Sequence, residues 1–188
     1  EYLEQLDHAL DRRNQIDLEI ARVAASDRWR DGVARLKCLR GIDVLSAMIL
    51  LVEIGDFRRF KTANDFMAYV GLVPRLYASG TTARRGSITK TGNKHVRRIL
   101  IEMGWNQRYA RVQSAEKFRK RTKGQPEEVV RHAWKAQHRL GRRFHRLIAR
   151  GKPSQVAVVA VAREMCGFIW ALMTRYDSQA PRKERAAA

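Results

Sequence analysis

The chain is poor in cysteine, in proline and in acid. Two cysteines and four prolines occur in 188 residues. Cys38 and Cys166 stand far apart, each in an apolar pattern of helical spacing. They read as buried, reduced thiols, which excludes a disulfide framework and a cysteine-based zinc site. The histidines, His8, His95, His132, His138 and His145, do not gather with cysteine or carboxylate at ligand spacing, so no residue is assigned to a metal. The acids are scattered. Asp43, Glu53, Asp56 and Asp65 read as caps and surface groups, not as the converging carboxylates of a Mg²⁺-dependent nuclease. The longest apolar run, Val156 to Ala162, is too short to cross a bilayer, and the N-terminal residues carry no signal-peptide pattern. Strand signals are few and no internal repeat is present. The chain starts without Met inside a helical pattern, and the expectation is the C-terminal part of a longer protein.

What is present is positive charge. Lys+Arg is 38 against Asp+Glu 19, a net charge of +19. That excess calls for a polyanionic partner, with nucleic acid as the default. The basic residues are spread over several segments and form no single amphipathic anchor, so a membrane is not expected as a partner. At this length the chain can bury one good core, or one small domain with helical extensions.

The chain is organised around one stretch, Gly71 to Arg98. It contains Gly71, Gly80, Gly86, Gly92 and Pro74, and from Gly71 to Ile101 no carboxylate occurs. Glycine permits positive φ and proline ends helices, so residues 71–93 are expected to be a loop. Arg75, Arg84, Arg85 and Lys90 make that loop basic. Asn93 is a plausible N-cap, with Val96, Ile99, Leu100 and Met103 at helical spacing behind it. A helix N-terminus beside a basic, glycine-rich loop is a phosphate site in physical terms. Lys94, Arg97 and Arg98 fall on one side of that helix, next to the loop. Gly80 and Asn93 complete the candidate nucleic-acid contacts here.

Elsewhere the pattern predicts helices, and the fold class expected is all-α. Residues 1–32 form a coiled-coil-like arm, either self-associating or packed on its own domain. Residues 33–57 form two short helices around Arg40-Gly41-Ile42-Asp43, similar to a helix-hairpin-helix. In such hairpins backbone N–H groups meet phosphate, which makes Gly41 a candidate contact. Asp43 takes the place of the hairpin's usual second glycine and could cap the second helix. DNA contact and a purely structural hairpin both stay open. Thr62 and Asp65 match a capping box ahead of Phe66, Met67 and Val70. The helix from Asn93 is predicted to run to about Phe118, followed by a polar break over 119–128. A basic helix spans 129–150, and an apolar one over 154–176 is the expected core helix. Residues 177–188 read as a disordered tail. The domain proper is thus placed at 33–176.

A serine nucleophile fits the basic loop better than metal chemistry does. Attack on a phosphodiester needs cations to stabilise the charged transition state, and Arg75, Arg84, Arg85 and Lys90 could supply them. Ser79 and Ser87 both sit there; loop serines are also common turn formers.

Many residues in order carry a resemblance. They are Leu39-Arg40-Gly41-Ile42, Ala47, Glu53-Ile54-Gly55-Asp56-Phe57, Arg59-Phe60, Ala68-Tyr69-Val70-Gly71-Leu72-Val73-Pro74, Ser79-Gly80, Arg85-Gly86, Ile88-Thr89-Lys90, Gly92-Asn93 and Arg97-Arg98. Over residues 36–104, and more loosely over Gly151 to Arg163, the chain resembles the C-terminal transposase domain of DEDD-type insertion-sequence transposases, the recombinases guided by a bridge RNA. The resemblance implies a DNA transposase with a RuvC-like, Mg²⁺-binding acidic domain, a coiled coil, and then this domain, which supplies a serine for covalent attachment to DNA. The family's serine-glycine pair maps onto Ser79-Gly80, with Ser87 as the alternative. The acidic quartet has no counterpart here, so Mg²⁺ is expected in the missing RuvC-like domain and no cofactor in this chain. DNA, a guide RNA and further copies of the full-length protein are the implied partners, in the cytoplasm at the nucleoid. The competing reading is a non-catalytic helix-hairpin-helix module that positions another domain's active site.

Overall fold

The fold is taken from a computed structural model. It describes residues 1–79, 82–109 and 115–176, and for residues 77–85 the backbone alone where it is given. Among the described residues there are eight α-helices and one two-stranded hairpin, an all-α domain. The helices are α1 (Tyr2–Ala24), α2 (Arg30–Lys37), α3 (Val44–Ile54), α4 (Ala63–Tyr69), α5 (Lys94–Trp105), α6 (Ala115–Thr122), α7 (Glu127–Ala149) and α8 (Ser154–Arg175). The strands β1 (Pro74–Ser79) and β2 (Thr82–Ile88) stand between α4 and α5.

α8 is the centre, as its all-round apolar pattern predicts. Ala157, Val158, Val161, Ala162, Met165, Cys166, Ile169 and Leu172 are buried, and α2, α4, α5 and α7 all pack against it. It is also the one described helix long and apolar enough to cross a membrane, a test that core helices pass too. Gly104 of α5 lets that helix come close: a Cβ there would lie 3.0 Å from Val158. Both cysteines are buried, and burial pushes the Cys38 thiol up to about 11 and Cys166 up as well. They are inert packing groups at neutral pH.

Three predicted boundaries move. The arm over 1–32 is not one helix: α1 stops at Ala24 without glycine or proline. The Ser26 hydroxyl donates to the Val23 carbonyl (2.7 Å), a local bond that competes with the helical ladder. The helix from Asn93 stops at Trp105, not near Phe118. A 3₁₀ turn follows over Asn106–Tyr109, where Gln107 is fully buried and donates to the Arg40 carbonyl (3.1 Å), and Arg40 donates to the Tyr109 carbonyl (2.9 Å). The α2–α3 turn thus draws the chain out of the helix. The polar break narrows because α6 runs on to Thr122. The expected disordered tail, 177–188, lies outside the described residues.

The largest correction is the loop itself, since residues 74–79 and 82–88 pair as the two strands of a hairpin. Pro74 pairs with Ile88, Leu76 with Arg85, Tyr77 with Arg84, Ala78 with Ala83 and Ser79 with Thr82. Gly86 and Ser87 therefore stand opposite Arg75 alone, a β-bulge. No apolar stripe marks these strands, so they lacked the usual sequence signal.

The hairpin is held at its base. The Thr89 N–H donates to the Val73 carbonyl (2.9 Å), Lys90 to Gly71 (3.1 Å) and Asn93 to Tyr69 (3.1 Å). Gly71 and Gly92, at φ +69 and +79, let the two segments cross in contact. A Cβ on Gly71 would fall 2.0 Å from the Thr91 carbonyl oxygen, and one on Gly92 1.9 Å from that of Tyr69.

Truncating a fully buried core side chain removes contacts and leaves a cavity. Leu172→Ala should cost about 2–5 kcal/mol, read from urea unfolding. Gly151 has φ +72 with open space around its Cβ position. Gly151→Ala should therefore lose only the left-handed strain, roughly 1–2 kcal/mol. Gly92→Ala should lose clearly more by the same measurement; equal losses would mean that the crossing is not tight.

Candidate nucleic-acid interface

The base of the hairpin is tied to three helices. Asn93 caps α5, accepting from the Val96 N–H (3.0 Å), and its amide donates to the Glu53 carboxylate of α3 (2.8 Å). Arg97, half-buried on α5, donates to the Val70 carbonyl (2.9 Å) at the end of α4 and to the Thr91 carbonyl (3.1 Å). Both residues carry the fold that presents the hairpin. Their polar atoms are engaged inside the protein, which gives them a positioning role among the predicted contacts.

Other predicted residues are free to meet solvent. Lys94 is exposed in the first turn of α5, where no acid occurs. A cation at the positive end of a helix is locally unfavourable, and an anion there would relieve it. Lys90 is exposed and holds a positive φ of 58, the one described non-glycine residue that does. Arg98 pairs with Glu102 (2.9 Å), yet its side chain is 80% exposed. Such a surface pair contributes at most about 1 kcal/mol and exchanges easily for a phosphate. Arg75 is exposed, with one long contact to the Thr89 carbonyl (3.5 Å). Ser87 is exposed in the bulge opposite it.

Arg84 and Arg85 lie on β2 opposite Tyr77 and Leu76, and Ser79 ends β1 opposite Thr82. The side chains of these residues, and Gly80 altogether, lie outside the described residues. Gly41 has φ +89, and a Cβ there would meet Met103 and Asn106 at 3.0 Å. The packing of the α2–α3 turn on the end of α5 accounts for this glycine. Asp43 caps α3: the Ser46 N–H donates to its carboxylate (2.8 Å), and the Ser46 hydroxyl accepts from the Asp43 N–H (2.9 Å). Thr62 and Asp65 form the expected capping box of α4.

Sequence reasoning missed two kinds of residue. Glu53 reads as a surface acid in the sequence, and nothing local signals its bond to Asn93, 40 positions away. Arg40, in the predicted hairpin turn, and Arg121, in the predicted polar break, are both largely removed from water. Arg121 donates to the Cys38 carbonyl (3.0 Å) and to Gln137 (2.8 Å), and burial lowers the pKa of both arginines. They brace the junction of α2, α6 and α7. Among the described residues no three His, Cys, Asp or Glu come together in a way that could hold a metal.

Comparison with known proteins agrees with this layout. Residues 33–122 match the family described as Transposase IS116/IS110/IS902. The putative transposase y4qE of Sinorhizobium fredii is 44% identical over 144 residues, 74% of this chain and 36% of the relative. A probable family 20 transposase of Pseudomonas aeruginosa is 29% identical over 175 residues, 91% of this chain and 45% of the relative. The transposase for insertion sequence element IS1533 of Leptospira borgpetersenii is 32% identical over 133 residues, 70% of this chain and 38% of the relative. The chain spans less than half the length of these curated relatives. Over residues 33–122, which include the hairpin and the helices that hold it, the chain carries a transposase domain of the IS116/IS110/IS902 family.

Proposed function

We propose that this chain is the DNA-holding, serine-bearing part of a DEDD-type transposase guided by a bridge RNA. The observation that carries the reading is the hairpin. It stands on a glycine-locked base within a stretch free of carboxylates, and Ser79 ends its first strand. Arg75, Lys90, Lys94 and Arg98 border its base, and Arg84 and Arg85 lie on its second strand. DNA is the substrate. The guide RNA and further copies of the full-length protein are its partners, and the cytoplasm at the nucleoid is its place.

In this reading the Ser79 oxygen attacks a phosphodiester phosphorus. A Ser–O–P ester forms, one P–O bond to deoxyribose breaks, and the departing sugar oxygen ends as a hydroxyl with the serine's proton. No oxidant is needed, and the ester keeps the energy of the broken bond for rejoining. Guanidinium groups stabilise the extra negative charge of the transition state. The hydroxyl of Ser87 offers the same chemistry from the bulge. Metal-dependent chemistry belongs to the part of the full-length protein that this chain does not include.

The second reading, a non-catalytic binding module, draws on the engaged state of Asn93 and Arg97 and the packing role of Gly41. Ser79→Ala in the full-length protein separates the two. Strand exchange on cognate element ends should fall by on the order of 10³-fold or more, with DNA affinity unchanged within about twofold. Surviving recombination would leave only the module. Mass spectrometry of a trapped protein–DNA adduct, formed with guide RNA and Mg²⁺, should find the DNA on the Ser79 peptide. DNA on the Ser87 peptide would move the nucleophile to the bulge.

A further inference from the structure

α7 carries a basic face that the hairpin reading leaves unused. Val129, Ala133, Ala136, Leu140 and Phe144 are its buried side and join the core. On the other side Arg131, Lys135, Arg139, Arg142, Arg143 and Arg146 recur at spacings of three and four. That periodicity puts them in one stripe over about a third of the helix circumference. Five of the six are exposed and Arg143 is half-buried. From Arg131 to Arg146 the stripe is about 22 Å long at 1.5 Å per residue.

The stripe runs through two clefts formed with α8, and Arg139 lines both. One, of about 560 Å³, is lined by Arg139, Arg142, Arg143, Arg146 and Glu164. The other, of about 620 Å³, adds Arg175 from α8 to Arg131 and Lys135. Glu164 is the lone acid of the first cleft. It pairs with Arg139 and lies 3.8 Å from Arg143. Arg131 pairs with Glu127 (2.7 Å). Among the described residues Arg142 and Arg146 have no carboxylate within ion-pair distance. Four guanidiniums around one carboxylate repel one another, and a polyanion laid along the stripe removes that repulsion.

The form of the stripe selects the polyanion. Its cations are fixed along a rigid helix, and all but one are arginines, whose forked donors match phosphate oxygens. Their 22 Å reach corresponds to roughly six base-pair steps at 3.4 Å each. A single strand would call for exposed aromatics on which bases stack. Trp134, the exposed indole of α7, lies off the stripe and packs on Phe118 and His138, and the rings of the second cleft, Phe168 and Tyr176, are half-buried and packed on His132. We infer that the α7 stripe is a second nucleic-acid surface, which takes the sugar–phosphate backbone of a DNA double helix without reading its sequence. The inference rests on the nucleic-acid part of the proposed function and is independent of any role for Ser79. It places this surface beyond residue 122, where the family match ends.

Fluorescence anisotropy with 20-bp DNA, 20-bp RNA and single-stranded probes, over 50–200 mM salt, tests it on the 188-residue chain. Arg142→Ala/Arg146→Ala should weaken duplex binding and lower the slope of log K against log salt by about 1.8, with an unchanged melting temperature. Arg12→Ala/Arg13→Ala, on the exposed face of α1, removes the same charge elsewhere and should lower the slope by less than half as much. The loss is expected on the DNA duplex, and a loss confined to the RNA duplex overturns the choice of DNA. A loss no larger than that of the α1 pair on either duplex overturns the inference. So does an equal loss on single strands. Arg84→Ala/Arg85→Ala reports on the hairpin separately. If only the α7 pair lowers the slope, the hairpin reading fails and this surface stands; if only the hairpin pair does, the reverse holds.

Discussion

The position of the hairpin depends on one close crossing of backbone. Gly71 and Gly92 each lie where any side chain would meet a carbonyl at about half the normal contact distance, 2.0 and 1.9 Å. With no Cβ on either residue, the strand leading into the hairpin and the one leaving it bond to each other and to the end of α4. Arg97 then closes the crossing by donating one nitrogen to carbonyls on both sides, Val70 and Thr91. Asn93, which follows Gly92, caps α5 and reaches Glu53 on α3. Three helices and the hairpin base become one block through four residues, none of which belongs to the buried apolar core.

This arrangement changes the meaning of a basic motif. Read along the chain, Lys94, Arg97 and Arg98 look alike, three cations at helical spacing beside a basic loop. In the fold Arg97 is a structural donor, Arg98 sits in an exchangeable surface pair, and Lys94 is exposed in the first turn of α5. Hydrogen bonds to carbonyls fix a guanidinium as firmly as a carboxylate does, but they leave its charge in place. A structural Arg97 therefore still adds to the positive potential around the hairpin.

Helices and caps were legible in the sequence because their causes are local. Asp43, Thr62 and Asn93 act within three residues of themselves, and the core pattern of α8 needs only its own periodicity. The hairpin was not legible. Its strands show no alternating apolar face, and what holds them is the contact of Gly71 with Thr91 and of Gly92 with Tyr69, set by the absence of side chains. The early end of α5 escaped for the same reason: Gln107 and Arg40 meet across 67 positions. The candidate site was legible as a charged, carboxylate-free stretch. Which cations brace it and which face outward required the fold.

The distribution of acids ties these points together. Around the hairpin base the nearby carboxylates are already engaged: Glu53 with Asn93, Glu102 with Arg98, Asp56 with Arg58, Asp65 with Thr62. Caps and bridges absorb the few negative charges of this region while the cations outnumber them. The same holds on α7, where Glu164 and Glu127 each steady arginines without neutralising the stripe. A fold that uses its acids for internal geometry keeps a strong positive field on its surface. Among the described residues its acids stay apart, and no three His, Cys, Asp or Glu come together in a way that could hold a metal. Holding a polyanion and coordinating a divalent cation make opposite demands on local charge.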